Sequence, residues 1–368
     1  MAKGRAVVIT QVGKPFEIRE YDVPDPEPGA ILLKITQAGV CGSDLHTYRG
    51  ELYAQIPPEG RVMGHEGTGV VHKLGKGVTT DSLGKPIKEG DRLMYAAIRP
   101  CNRCYQCLNG HHNWCSGTQT LGGGAGTWPY FTGTYGDYYY IGPTQPVFAV
   151  PPELPDNALG FINCAMGTVT EGLSRAGCKE GDYVVIMGAG GLGLNATAMA
   201  KDMGAHKVIV LDRLANRLSL AEEFGADHTI NIEEFNTLQK RKERIMELTN
   251  GRGADIAVEL VGRAELLLDG IEYLTNGGTF VEIGDIVRGR TVAFDPSTVL
   301  RGKKIMGSLM YRPQLLPVMM EMMVKNLNRR PYTKIVSNTY PLAKVNDAFR
   351  DAEWFNRQTN ISRAMLVP

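Results

Sequence analysis

Residues 182–212 read DYVVIMGAGGLGLNATAMAKDMGAHKVIVLD and decide the fold class of the chain. An apolar run at 183–187 leads into a glycine-rich turn, a helical pattern follows near 191–203, and a second apolar run covers 207–211. Short apolar runs bounded by turn residues are typical of buried parallel strands. The stretch therefore predicts a strand, a tight turn, a helix and a second strand.

The pattern of apolar and turn residues differs before and after this stretch. Downstream, RLANRLSLAEEFGA has helical spacing, and ADIAVELVG and GGTFVEIGD look like further buried strands. This alternation predicts a doubly wound α/β domain with a parallel sheet. Residues 1–150 instead carry short β-type segments such as RAVVI, FEIREYDV and AILLKIT between turn clusters. The last sixty residues, roughly 309–368, predict two helices and a final strand.

The glycine-rich turn has the G-x-G-x-x-G pattern, formed by Gly188, Gly190 and Gly193 between a strand and a helix. In that context the first glycine permits the turn, the second lets a pyrophosphate approach the backbone, and the third lets helix and strand pack. The alternative is that all three glycines serve backbone packing alone.

An acidic residue ends the next strand. Asp212 lies 24 positions after Gly188, where a carboxylate accepts hydrogen bonds from ribose hydroxyls and repels a 2′-phosphate. This favours NAD over NADP. Arg217, one helical turn beyond Arg213, is predicted either to cover the adenine or to be a solvated helix arginine.

Composition restricts the class of protein. The 368 residues hold 40 basic and 39 acidic side chains, which suggests neither nucleic acid nor an anionic membrane surface as a partner. The first residues, MAKGRAVVIT, lack the apolar core of a secretory signal. We expect a cytoplasmic protein of two domains.

Four of the seven cysteines lie in CNRCYQCLNGHHNWC, residues 101–115. They are Cys101, Cys104, Cys107 and Cys115. In a reducing compartment this spacing favours a closed tetrathiolate zinc site that shapes a loop and does no chemistry. A disulfide cluster, free thiols and an iron–sulfur cluster are the alternatives.

A second set of metal-ligand residue types is scattered along the chain. Cys41, His65 and Cys164 would give zinc three protein ligands and leave one exchangeable position, as catalytic zinc requires. Two thiolates balance the dication, so a bound alcohol could lose its proton there. Taken singly, each residue is equally explained by packing.

The chain resembles the zinc-dependent medium-chain alcohol dehydrogenases from its first strands to ISRAMLVP. The resemblance rests on CGSDLH, GHEGTGVV, the four-cysteine loop, and GAGGLG followed by VIVLD. It implies a β-rich GroES-like catalytic domain at 1–155 and 310–368, and an NAD-binding Rossmann domain at 156–309. It also implies two zinc ions: a catalytic one on Cys41, His65 and Cys164, and a structural one on the four-cysteine loop.

Further roles follow from the same resemblance. Ser43 would take the proton of the alcohol, and His46 would pass it toward solvent through a relay that includes the cofactor ribose, as hydride moves to the nicotinamide. Glu66 would assist exchange of the metal's ligand and Asp44 would orient the ligand histidine. Thr168 would contact the cofactor near its nicotinamide end.

Three features depart from the family pattern or lie outside it. Gly42 replaces a basic residue that touches the pyrophosphate in several members, and Arg363 is predicted to supply that contact instead. The aromatic segment 120–143 either lines the substrate mouth or packs within the lobe. Cys178 has no matching role and is assigned to packing.

The predicted activity is oxidation of a secondary or cyclic alcohol with NAD by a homodimer or homotetramer. A polyol, sugar or amino-alcohol dehydrogenase of the same superfamily is the alternative, and Cys164 argues modestly against it. A non-catalytic NADH-binding structural protein is a third reading, which the complete set of Ser43, His46 and Glu66 disfavours.

Overall fold

A computed structural model describes residues 2–52, 55–117, 119–120, 123–284, 286–353 and 362–368, with only the backbone at 119–120. The chain forms two compact units. The first comprises Met1–Cys164, Arg312–Lys325 and Val336–Pro368, and the second comprises Ala165–Tyr311 and Asn326–Ile335. The division thus falls after Cys164 and Tyr311, and 326–335 joins the second unit.

The elements of the first part of the chain, in order, are β1 Lys3–Ile9, β2 Glu17–Asp22, β3 Ile31–Gly39, α1 Gly42–Tyr48, β4 Arg61–Val62, β5 Thr68–Leu74, β6 Arg92–Tyr95, β7 Ile98–Arg99, α2 Tyr105–Leu108, β8 Gln119–Thr120, β9 Tyr138–Ile141 and β10 Val147–Ala149. The middle part holds α3 Gly167–Ala176, β11 Tyr183–Met187, α4 Gly191–Asp202, β12 Lys207–Asp212, α5 Ala215–Glu223, β13 His228–Asn231, α6 Leu238–Leu248, β14 Ala254–Glu259, α7 Leu266–Tyr273, β15 Leu274–Glu282 and β16 Lys304–Gly307. The last part holds α8 Leu315–Asn326, β17 Asn338–Pro341, α9 Val345–Ala352 and β18 Ala364–Val367.

The second unit is built on one six-stranded sheet in the order β13-β12-β11-β14-β15-β16, and every neighbouring pair is parallel. The strand order reverses between β11 and β14, so their carboxyl ends form the switch point where open α/β sheets bind ligands. Val185, Ile209 and Phe280 are fully buried in its core. The predicted doubly wound α/β domain is confirmed.

The first unit is β-rich. Its largest sheet runs β10-β6-β5-β3-β18-β17, and β9 also pairs with β3. The C-terminal strand β18 is antiparallel to β3, with Leu366 opposite Ala38. The chain therefore returns after the α/β unit to complete this sheet, as the family resemblance implied. Leu33, Tyr95 and Leu366 are buried in its core.

Parts of two predicted segments lie outside the described residues. Trp354 and Phe355, at the end of the predicted helix 342–355, lie outside them, and so do Leu121 and Gly122 of the aromatic segment. Among the helices of the described ranges, all are too short or too polar to cross a bilayer.

Candidate metal centres and nucleotide-binding turn

The first metal-ligand cluster begins at the N-terminus of α1. Asp44, in the first turn of this helix, accepts a hydrogen bond at Oδ2 from the backbone N–H of Cys41 at 3.0 Å. The same oxygen accepts one from the hydroxyl of Tyr135 at 2.6 Å. Its other oxygen lies 3.3 Å from Nδ1 of His65. Asp44 therefore fixes the backbone of one predicted ligand and the ring of another.

A single π-helical turn, Ile162–Met166, carries the third predicted ligand, Cys164. The side chain of Asn163 joins this turn to the segment that holds His65: Nδ2 donates to the carbonyl of His65 at 3.2 Å, and Oδ1 accepts from the N–H of Gly67 at 3.3 Å. Such irregular turns are frequent at functional sites. Asn163 was not among the residues predicted from the sequence, because no local pattern marks it.

The three predicted ligands and Glu66 converge in space. Each offers a ligand atom, and these atoms all lie within 4.8 Å of one another. Sγ of Cys41 is 3.9 Å from Sγ of Cys164, which is 3.2 Å from Nε2 of His65. All four residues are buried.

The electrostatics of this cluster show a thiolate already favoured. The contact with Cys164, helped by His65 and Arg363, lowers the pKa of Cys41 well below its usual value although burial opposes this. The pKa of Cys164 is raised in turn, by Cys41 and by burial. Burial opposes a charged His65, yet Asp44 outweighs it and the pKa of that ring is raised. A divalent cation would remove this competition and let both thiols ionise.

Glu66 and Arg363 form a buried pair beside the cluster. Nη1 of Arg363 lies 3.1 Å from Oε2 of Glu66 and donates to the carbonyl of Val40 at 3.0 Å. Burial raises the pKa of Glu66 to about 8, although Arg363 opposes this. The structure thus gives Arg363 a partner that the sequence did not predict, and its cofactor contact stays a prediction.

The two predicted proton carriers lie on α1. Oγ of Ser43 is 3.4 Å from Nε2 of His65, so the hydroxyl borders the ligand cluster. His46, one turn further along, is buried, and its Nδ1 contacts the carboxylate of Glu51. Glu51 was not singled out from the sequence, because nothing local marks it as the partner of His46.

The four cysteines of 101–115 also converge. Their sulfur atoms all lie within 4.8 Å of one another, and none of the seven cysteines of the chain forms a disulfide. Sγ of Cys104 is 3.8 Å from Sγ of Cys115, which also accepts the N–H of Cys101 at 3.3 Å. With a zinc–sulfur bond of about 2.3 Å, two sulfurs of a tetrahedron lie about 3.8 Å apart. This loop therefore fits a closed tetrathiolate site.

The glycines of the nucleotide turn separate into two kinds. Gly188 has a left-handed φ of 103°, and a Cβ at Gly193 would lie 1.9 Å from the carbonyl oxygen of Gly188. The fold itself requires glycine at both positions. A Cβ at Gly190 would meet only Nη1 of Arg217, at 3.9 Å, and its φ of −74° suits any residue. Packing alone therefore does not explain Gly190, whereas close approach of a ligand does.

The strand end beside this turn is tied to it. Oδ2 of Asp212 accepts from the N–H of Ala189 at 2.7 Å, and Oδ1 accepts from Leu214 at 3.0 Å. Burial lowers the pKa of Arg217, which is half-buried beside Gly190 and therefore not a fully solvated helix residue. Thr168 is buried in the first turn of α3.

The described part of the aromatic segment mostly packs inside the first unit. Phe131, Tyr135, Tyr139 and Tyr140 are buried, whereas Trp128 is half exposed. The hydroxyl of Tyr135 donates a hydrogen bond to Asp44, so this segment is linked to the metal-ligand cluster through that carboxylate. Elsewhere, burial raises the pKa of Cys178 to about 12, in keeping with an inert thiol.

Comparison with known proteins identifies the family. The alcohol dehydrogenase GroES-like domain matches residues 27–152 and the zinc-binding dehydrogenase domain matches 191–325. The chain is 30% identical over 351 residues to 5-exo-hydroxycamphor dehydrogenase of Pseudomonas putida, with 95% of each chain covered. It is 31% identical over 305 residues to L-threonine 3-dehydrogenase of Pyrococcus horikoshii, with 82% of each covered.

A solved structure is also similar along the whole chain. The crystal structure of an alcohol dehydrogenase from Thermotoga maritima shares 29% identity and superposes with a TM-score of 0.92 over 100% of both chains. The chain therefore belongs to the zinc-dependent medium-chain alcohol dehydrogenases. It is an oxidoreductase, as the sequence predicted.

Gly190 and Gly193 provide a matched pair of variants. Gly190→Ala should fold normally, because its Cβ would meet only the end of the Arg217 side chain, at an ordinary van der Waals distance of 3.9 Å. It should nevertheless weaken dinucleotide binding by roughly 10-fold or more, since the methyl group occupies ligand space. Gly193→Ala should fail to give soluble protein. Calorimetric titration with NAD and with NADP measures the first effect, and unchanged affinity in Gly190→Ala would return that glycine to a packing role.

Proposed function

We propose that the chain holds two zinc ions, one on Cys41, His65 and Cys164 and one on the four-cysteine loop. The sulfur separations of 3.9 Å in the first set and 3.8 Å in the second support this, because both match a tetrahedral arrangement. The donor chemistry differs between the two. Four thiolates close one site, whereas two thiolates and an imidazole leave a position for substrate at the other.

The function that this arrangement supports best is oxidation of an alcohol to a carbonyl compound, with NAD as the hydride acceptor. The observation that carries it is the hydroxyl of Ser43, 3.4 Å from Nε2 of His65, because it puts a proton acceptor at the edge of an incomplete ligand set. Zinc at that set would lower the pKa of an alcohol bound to it. The nicotinamide would accept the hydride.

The residues around the proposed metal position have separate roles in this reaction. Asp44 holds the ring of His65 so that Nε2 faces the metal position. Ser43 accepts the proton of the substrate hydroxyl at Oγ and gives up its own hydroxyl proton to a relay that would include the cofactor ribose. His46 accepts the proton at the end of that relay and releases one to solvent. Glu66, kept beside the cluster by Arg363, offers a further carboxylate oxygen for ligand exchange.

A secondary or cyclic alcohol is the proposed substrate class. The name of the Pseudomonas putida relative specifies hydroxycamphor, whose hydroxyl is on a ring. The Pyrococcus horikoshii relative, named for threonine, supports an amino alcohol as the alternative. A panel of primary, secondary and cyclic alcohols, polyols and threonine, followed by absorbance of the reduced cofactor, decides between them. Turnover of polyols or threonine alone would contradict the proposal.

Cofactor preference, assembly and location belong to the same proposal. The half-buried carboxylate of Asp212 at the strand end supports NAD, since it would face a 2′-phosphate. A homodimer or homotetramer and a cytoplasmic location stay predictions. Sedimentation of the purified chain measures the oligomeric state.

Loss of one ligand at each metal site should have different consequences. Cys164→Ala should abolish turnover and reduce zinc from about two ions per chain to about one, while the fold persists. Cys107→Ser, in the closed site, should lower the melting temperature by roughly 5 °C or more, because structural zinc contributes directly to folding free energy. Elemental analysis and thermal denaturation measure both. One zinc or none in active wild-type enzyme would contradict the two-site proposal.

The preference for NAD should depend on the charge of Asp212. Its repulsion of a 2′-phosphate is worth on the order of 1 to 4 kcal/mol at partly solvated spacing, about 10-fold to several-hundredfold in selectivity. Asp212→Ser should therefore weaken NAD use and improve NADP use, with exposed Arg213 able to pair with the added phosphate.

Asp212→Asn is the matched control for the structural contacts of this carboxylate. It removes the charge but keeps an oxygen for the N–H of Ala189 or Leu214. A gain in kcat/KM with NADP in both variants isolates charge as the cause. Wild-type enzyme that uses NADP as well as NAD would show that this carboxylate does not set the preference.

A further inference from the structure

A network of charged side chains surrounds His46 at the end of α1. Nδ1 of His46 is in hydrogen-bond contact with Oε2 of Glu51, and Nη2 of Arg49 donates to that same oxygen at 2.9 Å. Nη1 of Arg49 donates to both oxygens of Glu353, at 2.8 and 2.9 Å. Little of any of these side chains is exposed: 8% for His46, 15% for Arg49, 21% for Glu51 and 23% for Glu353.

The contact with Glu51 fixes which ring nitrogen of His46 carries hydrogen. A lone pair on Nδ1 would face the carboxylate oxygen and be repelled, so this contact favours the tautomer in which Nδ1 carries hydrogen. Nη2 of Arg49 also lies 3.0 Å from Nδ1, as expected when both groups meet one oxygen. Burial opposes ionisation of Glu51, but Arg49 and His46 outweigh it and hold the pKa of this carboxyl below its usual value.

The network contains two carboxylates and one guanidinium beside His46. Arg49 is paired on one side with Glu353, and Glu51 joins it on the other, so the three side chains together carry one net negative charge when ionised. Within these four side chains, protonation of His46 adds one positive charge in contact with the carboxylate of Glu51. Glu51 and Arg49 contact His46 directly, and Glu353 contacts Arg49.

We propose that Glu51 is a positioning residue for the proton that His46 carries, which rests on the proposed relay through Ser43. Glu51 holds the Nδ1–H, so Nε2 carries the lone pair that accepts the incoming proton. The ring becomes an imidazolium stabilised by the carboxylate of Glu51, and Nε2 then returns the proton to water. Nδ1–H and the Glu51 carboxylate are unchanged at the end of the cycle.

The pH dependence of alcohol oxidation tests this role, and its direction follows from the charges. The relay needs a neutral His46 ring, so kcat rises with pH through the apparent pKa of that ring. The carboxylate of Glu51 stabilises the imidazolium relative to the neutral ring. In Glu51→Gln the rising limb of the kcat profile should therefore move to lower pH by roughly one unit.

Two further variants complete the kinetic test. Glu353→Gln removes a carboxylate from the same arginine but not from His46, so its limb should move by at most about half as much. His46→Gln should lower kcat near neutral pH by roughly 10-fold or more, within the range for general acid–base groups. Zinc content and melting temperature, measured on all variants, ensure that the folded and metallated enzymes are compared.

A spectroscopic readout separates the geometry from the kinetics. In protein labelled with nitrogen-15 at histidine, the wild type and Glu353→Gln should show a far-downfield N–H resonance from Nδ1 of His46, and Glu51→Gln and His46→Gln should lack it. An unchanged rate profile in His46→Gln would overturn the relay itself. A wild-type profile in Glu51→Gln, alongside a defective His46→Gln, would overturn the role of Glu51 alone.

Discussion

The buried carboxylate of Asp44 is the interaction on which the catalytic cluster depends. It accepts the N–H of Cys41 and the hydroxyl of Tyr135 with one oxygen and faces Nδ1 of His65 with the other. Burial of an unpaired carboxylate costs several kcal/mol, and these partners together offset that cost. Three segments far apart in sequence are thereby held around one charge. The fixed ring of His65 and the placement of Cys41 both follow from it.

Carboxylates that are paired with an arginine or with a backbone N–H also occur elsewhere around the cluster and at the nucleotide turn. Glu66 is held by Arg363 beside the predicted ligands, and Glu51 is held by Arg49 beside the predicted proton carrier His46. At the strand end of the α/β unit, Asp212 accepts the N–H of Ala189 within the glycine turn. In each case a carboxylate first stabilises the local backbone or a neighbouring cation. Only its remaining lone pairs are left for a ligand.

The sequence predicted the features that local patterns encode. The apolar runs and glycines of 182–212 specify β11, the turn, α4 and β12 with small errors at the ends, because side-chain periodicity and backbone sterics act over a few residues. The four-cysteine loop was equally accessible, since its ligands fall within one short segment. Both predictions depend on the spacing of residues within one short segment.

Contacts between distant segments were not predictable in the same way. Tyr135 and Asp44 are 91 positions apart, and the partner of Glu66 is Arg363, the residue just before β18. The sequence assigned Arg363 to a cofactor and left the aromatic segment either at the substrate mouth or packed within the lobe, because no local pattern shows which buried charge or hydroxyl a side chain will meet. Glu51 was overlooked for the same reason, although it is only five residues from His46.

The central claim is that Cys41, His65 and Cys164 bind zinc in addition to the four-cysteine loop. X-ray absorption at the zinc edge, recorded on purified, unchelated enzyme, tests it most directly because it counts the ligands of every bound ion. One closed and one open site predict an average of about three sulfur ligands per zinc, with nitrogen or oxygen completing a coordination number of about four. An average of about four sulfur ligands would mean that only the closed loop is occupied, and would contradict the account.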